Sequence, residues 1–255
     1  MNKDAFTVDA CAVIPCYNHG RTLFSLMEVL RENALPVVLV DDGSDEETKA
    51  DILRLMRAFP EINLVTLPEN RGKGGAVSAG FLVANKLGFS HALQIDADCQ
   101  HDLSAIPFFL KAAEKHPRAL IGGIPQYDKS VPKSREHGRK ITNFWVALET
   151  LSCDIPDAMC GFRVYPLKST SKLLKRGFSD YRMGFDIEIL VRLYWGNVKM
   201  HFYPVKVSYP EDGISHFRMI RDNLRISRLH AILFLGMLVR APLLLYRKIK
   251  NHGKR

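Results

Sequence analysis

The sequence predicts an α/β protein with a mostly parallel sheet flanked by helices. Short apolar segments alternate with segments of helical periodicity along the chain. The apolar segments are uninterrupted, as in strands that are covered on both faces, and several of them end in polar clusters. The chain has 255 residues, of which 47% are hydrophobic and 25% charged. This composition excludes a disordered or collagen-like protein and allows a substantial core.

Strands and helices alternate regularly in the first hundred residues. Strands are predicted over residues 12–15, 37–40, 63–67 and 92–95. Helices, recognised by apolar residues three and four apart or by small residues, are predicted over residues 21–31, 45–59 and 75–86. Right-handed crossovers make such strands parallel. Their carboxyl ends then lie along one edge of the sheet, which is where ligands of these sheets bind.

The second part of the chain is less regular. Strands are predicted over residues 119–124 and 158–165, with an edge strand over 199–208, and helices over 141–151, 186–195 and from 218 to the end. Residues 126–139 are polar and basic, which predicts a loop. Gly161 lies inside an apolar segment, so we expect the backbone to approach a neighbouring group closely there.

Two carboxylates follow the fourth predicted strand directly. Asp96 and Asp98 are two residues apart on a turn, and Gln100 adds another oxygen. Such oxygens suit a hard divalent cation, and Mg²⁺ commonly bridges to substrate phosphates. Aspartates also favour turns for purely local reasons. Because two other polar clusters share this edge of the sheet, we favour a metal site.

The second strand ends in Asp41, Asp42, Gly43 and Ser44. A carboxylate here can accept a hydrogen bond from a nucleobase or a ribose hydroxyl. The alternative is that Ser44 or Asp45 caps the next helix. Both interpretations can hold, because capping and binding would use different residues of the cluster.

A glycine-rich loop precedes the third helix. Residues 70–75 contain three glycines together with Arg71 and Lys73. Backbone N–H groups and a lysine in this arrangement can bind a diphosphate. The spacing is not that of a Walker loop, and an ordinary glycine-rich turn explains the segment equally well.

Basic residues precede the helix predicted from 141, at Lys129, Lys133, Arg135, Arg139 and Lys140. They form either a solvated charge run or a site for an anionic acceptor, since arginine binds phosphate through a planar fork. Arg163 lies in an apolar segment, and Asp157 is its expected ion-pair partner. The five cysteines are odd in number and lack CxxC spacing, so we expect neither a disulfide framework nor a zinc site.

The net charge of +9 is concentrated in the tail. Residues 201–255 hold 11 Lys and Arg but three Asp and Glu, so the first 200 residues are nearly neutral. The apolar run at residues 229–246 contains His230 and Arg240. This pattern favours an in-plane amphipathic anchor on anionic lipid over a spanning helix. A helix packed on the domain with a solvated basic end is the alternative.

Five motifs resemble, in order, those of the family 2 glycosyltransferases, which have the GT-A fold. Within that family they are most similar to the polyprenol-phosphate sugar synthases, the group that includes dolichyl-phosphate mannose synthase. The motifs lie at residues 14–18, 41–44, 70–74, 96–101 and 160–163. The resemblance covers about the first 220 residues. Two departures are His216, where the family often has a fixed cation, and Cys160, where it typically has serine.

The resemblance implies a set of site residues. Nucleotide-binding roles are implied for Pro15, Tyr17, Asn18, Asp42, Ser44, Lys73 and Asp96. Magnesium or manganese would be held by Asp96, Asp98 and Gln100, and acceptor-binding roles fall to Arg135, Arg139, Ser215 and His216. We assign catalytic roles to Asp98, Asp157 and Arg163. The expected domain spans residues 1–217, with a nucleotide-sugar half (1–103), an acceptor half (104–217) and a membrane-associating tail (218–255).

The implied reaction is the inverting transfer of a sugar from a nucleotide-diphosphate sugar to a lipid-linked acceptor, with polyprenyl phosphate favoured. A hydroxyl acceptor would instead need a general base, for which Asp157, Glu211 and Asp212 are candidates. A nucleic-acid-binding module is less favoured, because the tail's apolar residues are aliphatic rather than base-stacking aromatics. The hypothesis that the protein is a nucleotidyltransferase is less favoured still. The N-terminus lacks the apolar run of a signal peptide, so we expect the cytoplasmic face of the membrane.

Overall fold

The computed structural model describes residues 8–20, 22–127, 133–208 and 219–252, with side chains over 8–20, 22–127, 136–208 and 221–250. The strands are β1 (Ala10–Cys16), β2 (Val37–Asp41), β3 (Asn63–Thr66), β4 (His91–Gln94), β5 (Leu120–Tyr127), β6 (Arg163–Pro166) and β7 (Met200–Val207). The helices are α1 (Leu23–Glu32), α2 (Glu46–Ala58), α3 (Lys73–Lys86), α4 (Ile106–Lys115), α5 (Lys133–Thr150), α6 (Leu167–Leu174), α7 (Phe185–Trp195) and α8 (Met219–His252). A short 3-10 helix (Leu103–Ala105) precedes α4.

The strands form one sheet in the order β3-β2-β1-β4-β6-β5-β7. β6 is antiparallel to both of its neighbours, and the other strands are parallel to one another. In the register of β1 and β2, Cys16 pairs with Asp41. The loops that follow these two strands therefore start side by side, which brings the first two polar clusters together.

Apolar residues cover both faces of the sheet. One core includes Phe81 of α3 and Leu190 of α7, and Leu229 of α8 joins it. The other includes Leu26 of α1 and Phe109 of α4. Burial on both faces explains why the central strands read as uninterrupted apolar runs.

The elements predicted in the first hundred residues are confirmed to within two residues at nearly every end, and β7 is the predicted edge strand. Two predictions were wrong. Residues 126–139 were expected to be a loop, but β5 continues to Tyr127 and α5 begins at Lys133. The first turns of α5 are exposed at Glu136 and His137, so the sequence has no apolar periodicity there.

The strand predicted over residues 158–165 is limited to β6, which begins at Arg163. The Asp157 carboxylate accepts hydrogen bonds from the backbone N–H groups of Met159 and Cys160, so this segment turns instead of pairing. Helices α4 and α6 were not anticipated from the sequence.

Helix α8 is continuous through Pro242. One side of it packs against α5 and α7, burying Leu229, Leu233, Met237 and Leu244. Within its segment from Arg221 to Lys250, the most apolar 18-residue window has a mean hydropathy of 1.8 and is 28% buried, so by length and composition the helix is long and apolar enough to cross a membrane.

Candidate active site

The loops that follow β1 and β2 are joined by direct hydrogen bonds. The backbone N–H of Asn18 donates to the Ser44 hydroxyl at 3.2 Å, and the backbone N–H of Asp45 donates to Asn18 Oδ1 at 3.0 Å. Asp45 also accepts from the N–H of Thr48 and caps α2. Capping is thus performed by Asp45, which leaves Asp42 and Ser44 available for other roles.

Asp42 connects the end of β2 to the glycine-rich loop. Its Oδ1 accepts a hydrogen bond from the backbone N–H of Arg71 at 2.7 Å. Burial raises the pKa of Asp42, although the N–H groups of Arg71 and Gly72 oppose that rise. Gly43 has a φ of +67°, and a Cβ there would lie 2.6 Å from the carbonyl carbon of Glu69. Only glycine allows the two loops to come this close.

Lys73 lies between two carboxylates at the start of α3. Its Nζ is 2.8 Å from Asp96 Oδ1, 2.9 Å from Asp96 Oδ2 and 3.0 Å from Asp186 Oδ2. Burial alone would lower the pKa of Lys73, but Asp186 and Asp96 outweigh it and raise the pKa. The ammonium group therefore remains charged and balances the acidic end of β4.

Arg163 is fully buried beneath this cluster. Its Nη1 donates to the Tyr165 hydroxyl at 3.1 Å and to the backbone carbonyl of Asp186 at 2.9 Å. The expected pairing of Arg163 with Asp157 was wrong, because β6 directs the arginine toward the first turn of α7. Arg163 therefore reaches the exposed part of the cluster only through Asp186.

Asp186 and Glu188 were missed by sequence reasoning. Asp186 also accepts from the Gln94 amide at 3.1 Å, and Glu188 accepts from the backbone N–H groups of Ser179 and Asp180. The available signal was the presence of two acids within the otherwise apolar segment of α7. Buried acids of this kind are normally paired, so each indicates a partner distant in sequence.

Asp98 lies beside Asp96 at the end of β4. Burial, together with the nearby Asp96 charge, raises the pKa of Asp98 to about 6. Its Oδ1 accepts a hydrogen bond from the backbone N–H of Gln100 at 3.2 Å. A divalent cation would relieve the repulsion between the two carboxylates, and the all-oxygen donor set fits Mg²⁺ or Mn²⁺.

No group of three His, Cys, Asp or Glu side chains that could hold a metal occurs among the described residues. A cation at Asp98 would therefore depend on Gln100 and on oxygens supplied by a bound ligand. Gly161 lies against the same cluster, where a Cβ would be 2.5 Å from Asp96 Oδ2 and 2.8 Å from Lys73 Nζ. The close backbone approach predicted at this glycine is confirmed.

Arg139 and Asp157 form an ion pair on the other side of the site. Arg139 Nη1 is 2.5 Å from Asp157 Oδ2, and the guanidinium lies 5.4 Å from the centre of the Tyr127 ring. Asp157 Oδ1 accepts from the N–H groups of Met159 and Cys160 at 3.0 and 2.7 Å. Both oxygens of Asp157 are thus engaged.

The structure describes the remaining predicted site residues to different extents. Pro15 belongs to β1, and Tyr17 follows it with a partly exposed side chain. The backbone of Arg135 lies in α5, but its side chain is outside the described residues. Ser215 and His216 lie outside them, as do the alternative bases Glu211 and Asp212.

The five cysteines are free. Cys160 is buried, which raises the pKa of its thiol to about 11, and its Sγ is 3.5 Å from His101 Nε2. A thiol with so high a pKa is a poor nucleophile at neutral pH.

The mostly parallel sheet and the acidic cluster at the end of β4 define the class of a GT-A glycosyltransferase. Residues 11–174 match the family model described as glycosyl transferase family 2. The chain therefore belongs to glycosyltransferase family 2 and is a glycosyltransferase.

Several curated relatives are similar over most of the chain. A dolichyl-phosphate beta-glucosyltransferase of Dictyostelium discoideum is 25% identical over 240 residues, covering 84% of this chain and 72% of the relative. One from Saccharomyces cerevisiae is 24% identical over 255 residues, covering 89% and 74%. An uncharacterized protein of Methanocaldococcus jannaschii is 26% identical over 218 residues, covering 80% and 90%.

Solved structures confirm the fold class. A glucosyl-3-phosphoglycerate synthase from Mycobacterium tuberculosis, in complex with Mn²⁺ and UDP-glucose, superimposes with a TM-score of 0.66. The identity is 14%, and the match covers 89% of this chain and 78% of that one. At this identity the similarity defines the architecture alone.

Proposed function

We propose that the protein is an inverting, metal-dependent glycosyltransferase that moves a sugar from a nucleotide-diphosphate sugar to a lipid-linked acceptor, with polyprenyl phosphate as that acceptor. The observation that carries this proposal is the convergence of Asp96, Asp98 and Lys73 at the carboxyl end of β4, beside the Asp42 loop. The names of the dolichyl-phosphate glucosyltransferase relatives support the lipid phosphate. The Mn²⁺ and UDP-glucose bound by a structural neighbour support the donor and the metal.

The nucleotide would bind across the ends of β1 and β2. Pro15, Tyr17, Asn18 and Ser44 line this region, and Asp42 would accept a hydrogen bond from the base. The N–H of Arg71 already orients the Asp42 carboxylate. A preoriented acceptor avoids part of the entropic cost of binding.

The cation would be held by Asp98, with Asp96 and Gln100 beside it. When bound, it would neutralise the charge that develops on the departing diphosphate. Lys73 would add a second fixed positive charge at the same end of the site. Arg163 acts as a positioning residue, because it holds Asp186, and Asp186 in turn holds Lys73.

The acceptor would attack the anomeric carbon from the face opposite the departing diphosphate, which inverts the configuration. An anionic phosphate acceptor needs no strong general base, whereas a hydroxyl acceptor does. Both oxygens of Asp157 are engaged by Arg139 and by two backbone N–H groups. This arrangement supports a phosphate acceptor, which we propose Arg139 helps to bind. The family resemblance gives the same role to Arg135, Ser215 and His216.

Helix α8 would lie in the plane of the membrane, on its cytoplasmic face. The helix contacts the domain near its C-terminal end, where Arg247 donates to the Trp195 carbonyl at 2.8 Å, as well as along its apolar buried side. Its opposite side exposes apolar residues such as Leu235 and Val239. A helix held along its length by the domain lies flat more readily than it crosses a bilayer.

The first test is donor binding, measured as a thermal shift against a panel of nucleotide sugars with and without Mn²⁺. We expect one nucleotide class to raise the melting temperature, and the rise to depend on the metal. The second test incubates the preferred donor with polyprenyl phosphate or with the matching polyprenol. Transfer to the phosphate alone supports the proposal, and transfer to the alcohol alone contradicts it.

A further inference from the structure

A groove runs along the N-terminal half of α8, between the helix and the turn of residues 176–182. It consists of two adjoining cavities of about 250 and 440 Å³, which share Ser179 and Ile232. Arg71, whose backbone N–H orients Asp42, lines the smaller cavity, and no other residue that we assign to the nucleotide, the cation or the acceptor is among the lining residues of either one. The groove therefore meets the active site at the glycine-rich loop and otherwise lies outside it.

The smaller cavity has a strongly cationic lining. Four arginines from three separate segments line it, namely Arg71, Arg182, Arg225 and Arg228. The acid among the lining residues is Asp180, and its carboxylate already accepts from the backbone N–H groups of Arg182 and Gly184 at 2.8 and 3.1 Å. Within the described part of the chain, neither Arg71 nor Arg228 takes part in an ion pair. This end of the groove therefore carries excess positive charge.

The larger cavity has both apolar and charged lining residues, and Arg176, Arg192, Arg240 and Glu188 are the charged ones. Its apolar lining is formed by Phe178, Trp195, Ile232 and Leu233. Gly236 leaves space beside the indole, because a Cβ there would lie 2.8 Å from Trp195 Cη2.

Two of the cations at the larger cavity are already engaged. Arg192 lies 4.6 Å from the centre of the Phe178 ring and pairs with Glu188 at 2.9 Å. Arg240 lies 4.5 Å from the centre of the Trp195 ring. The smaller cavity thus presents arginines to an anion, and the larger cavity adds an aromatic and aliphatic wall beside its own charged groups.

The aromatic and aliphatic wall continues onto the exposed side of α8. Arg228, Ile232, Leu235 and Val239 are spaced four, three and four residues apart, so they follow one line along the helix surface. Leu235 and Val239 are 62% and 81% exposed. A ligand in the groove would therefore pass from the arginines directly to the surface that we place on the membrane.

We propose that this groove binds one anionic phospholipid, with its phosphate at the arginine end and its upper acyl chain along Phe178 and Ile232. Arginine forks match phosphate oxygens geometrically, and the aromatic lining suits the interfacial region of a lipid. The proposal rests on the membrane placement of α8 but not on the transfer reaction. Because Arg71 belongs to the glycine-rich loop, the bound lipid would also touch the segment that contains Lys73.

The test uses a lipid that stays monomeric in solution. In a Trp145→Phe variant, which leaves Trp195 as the single tryptophan, fluorescence reports directly on the groove. We expect saturable binding of dihexanoyl phosphatidylglycerol, at least about tenfold tighter than that of dihexanoyl phosphatidylcholine or inorganic phosphate. Calorimetric titration of the unmodified chain gives the same comparison if the variant does not fold.

Two paired substitutions separate the groove from general charge. Arg225→Gln with Arg228→Gln should weaken phosphatidylglycerol binding about 30-fold, because each cation near a lipid phosphate contributes a roughly constant increment. The control is Arg57→Gln with Arg118→Gln, which removes the same charge from exposed sites outside the groove. It should change binding by less than about twofold.

Three results would overturn the proposal. If inorganic phosphate binds as tightly as dihexanoyl phosphatidylglycerol, the groove is a site for anions in general. If a single-stranded oligonucleotide binds more tightly than the lipid, the groove is a site for polyanions. If the control substitutions weaken lipid binding as much as the groove substitutions do, the lipid is attracted by overall charge. Flotation with phosphatidylglycerol vesicles separates this proposal from the membrane placement. If the protein binds vesicles but not the short-chain lipid, the groove proposal is rejected and the membrane placement stands. If it binds the short-chain lipid but not vesicles, the membrane placement of α8 is rejected.

Discussion

The two parts of the molecule hold their functional side chains in different ways. In residues 10–102, Asp42 and Asp98 are oriented by backbone N–H groups of loops that follow parallel strands. In residues 133–250, ion pairs between side chains add to backbone contacts of this kind, as in the pairs Arg139–Asp157 and Glu149–His230. The first arrangement places chemistry on a rigid sheet edge, and the second joins separately packed segments.

This difference has a consequence for substitutions. Changing a carboxylate that backbone groups orient should remove function while preserving the fold, because asparagine can still accept the same hydrogen bonds. Changing one member of a buried ion pair leaves its partner charged and unpaired, which lowers stability. Four substitutions test the contrast, from the largest expected effect to the smallest.

Asp98→Asn should lower metal-dependent turnover about 1,000-fold, equivalent to about 4 kcal/mol of transition-state stabilisation. The amide retains the hydrogen bond from Gln100 but loses the charge that would bind the cation. Initial rates measured across a range of Mn²⁺ concentrations test this.

The matched control for that change is Asp102→Asn, which alters a carboxylate that accepts from Ser104 in the same loop. Its turnover should stay within a few-fold of the wild type, and both variants should unfold near the wild-type temperature. Full Mn²⁺-dependent activity in Asp98→Asn would refute the assignment of this residue.

Asp157→Asn should lower the free energy of unfolding by about 3 kcal/mol, because Arg139 is left without its partner. Chemical denaturation measures this loss. The double variant with Arg139→Gln should be destabilised by less than the sum of the two single changes.

The activity of folded Asp157→Asn toward polyprenyl phosphate should remain within about tenfold of the wild type. Complete loss of transfer in protein that is still folded would indicate that Asp157 is a general base. The acceptor would then be a hydroxyl group rather than a phosphate.

Gly161→Ala should lower kcat/KM and destabilise the protein by about 2 kcal/mol, as expected for overpacking of a filled site. The new methyl group would displace the carboxylate of Asp96 from Lys73. Donor titration and thermal unfolding measure both effects.

Gly138→Ala in α5 is the control, since a Cβ there meets nothing within 4 Å. A similar loss of activity and stability in the control would show that the effect of Gly161→Ala does not come from displacing Asp96.

Glu149→Gln should have the smallest effect, about 1 kcal/mol, and its sign depends on pH. Burial raises the pKa of Glu149, and the hydrogen bond with His230 opposes that rise only in part. Between the ordinary glutamate pKa and the raised pKa of the folded state, Glu149 is therefore protonated in a larger fraction of folded molecules than of unfolded ones. The stability of the wild type falls as the pH rises through the folded-state pKa of Glu149.

The glutamine variant lacks this titration, so its stability relative to the wild type should increase with pH. Urea unfolding at pH 5 and pH 8 measures the difference. Glu114→Gln, which changes an exposed glutamate of α4, should show no such trend. A large loss of stability in Glu149→Gln at pH 8 would show that the pair with His230 stabilises the fold.

Local patterns predicted the N-terminal part well for a physical reason. Strands buried on both faces give continuous apolar runs, and the loops after them contain the polar residues that such sheets use for ligands. The clusters at Asp42, Lys73 and Asp98 were therefore recognisable before the fold was known. Family membership rests on the same segments, since the matching region is residues 11–174.

Partners distant in sequence were not predictable in this way. The pairing of Arg163 was assigned to Asp157, which is six residues away, but the structure supplies Asp186 from α7. The exposed first turns of α5 gave no periodic signal, so the helix was interpreted as a loop. In both cases the deciding contact forms only after separate segments pack together.

The sequence by itself determined the class of the sheet, the positions of its polar strand ends and the basic, apolar character of the tail. These features depend on local periodicity and composition. The tertiary structure alone decided that Lys73 lies between Asp96 and Asp186 and that Arg71, Arg182, Arg225 and Arg228 line one groove. Such contacts join residues far apart in sequence, and only the packing of α7 and α8 against the sheet brings them together.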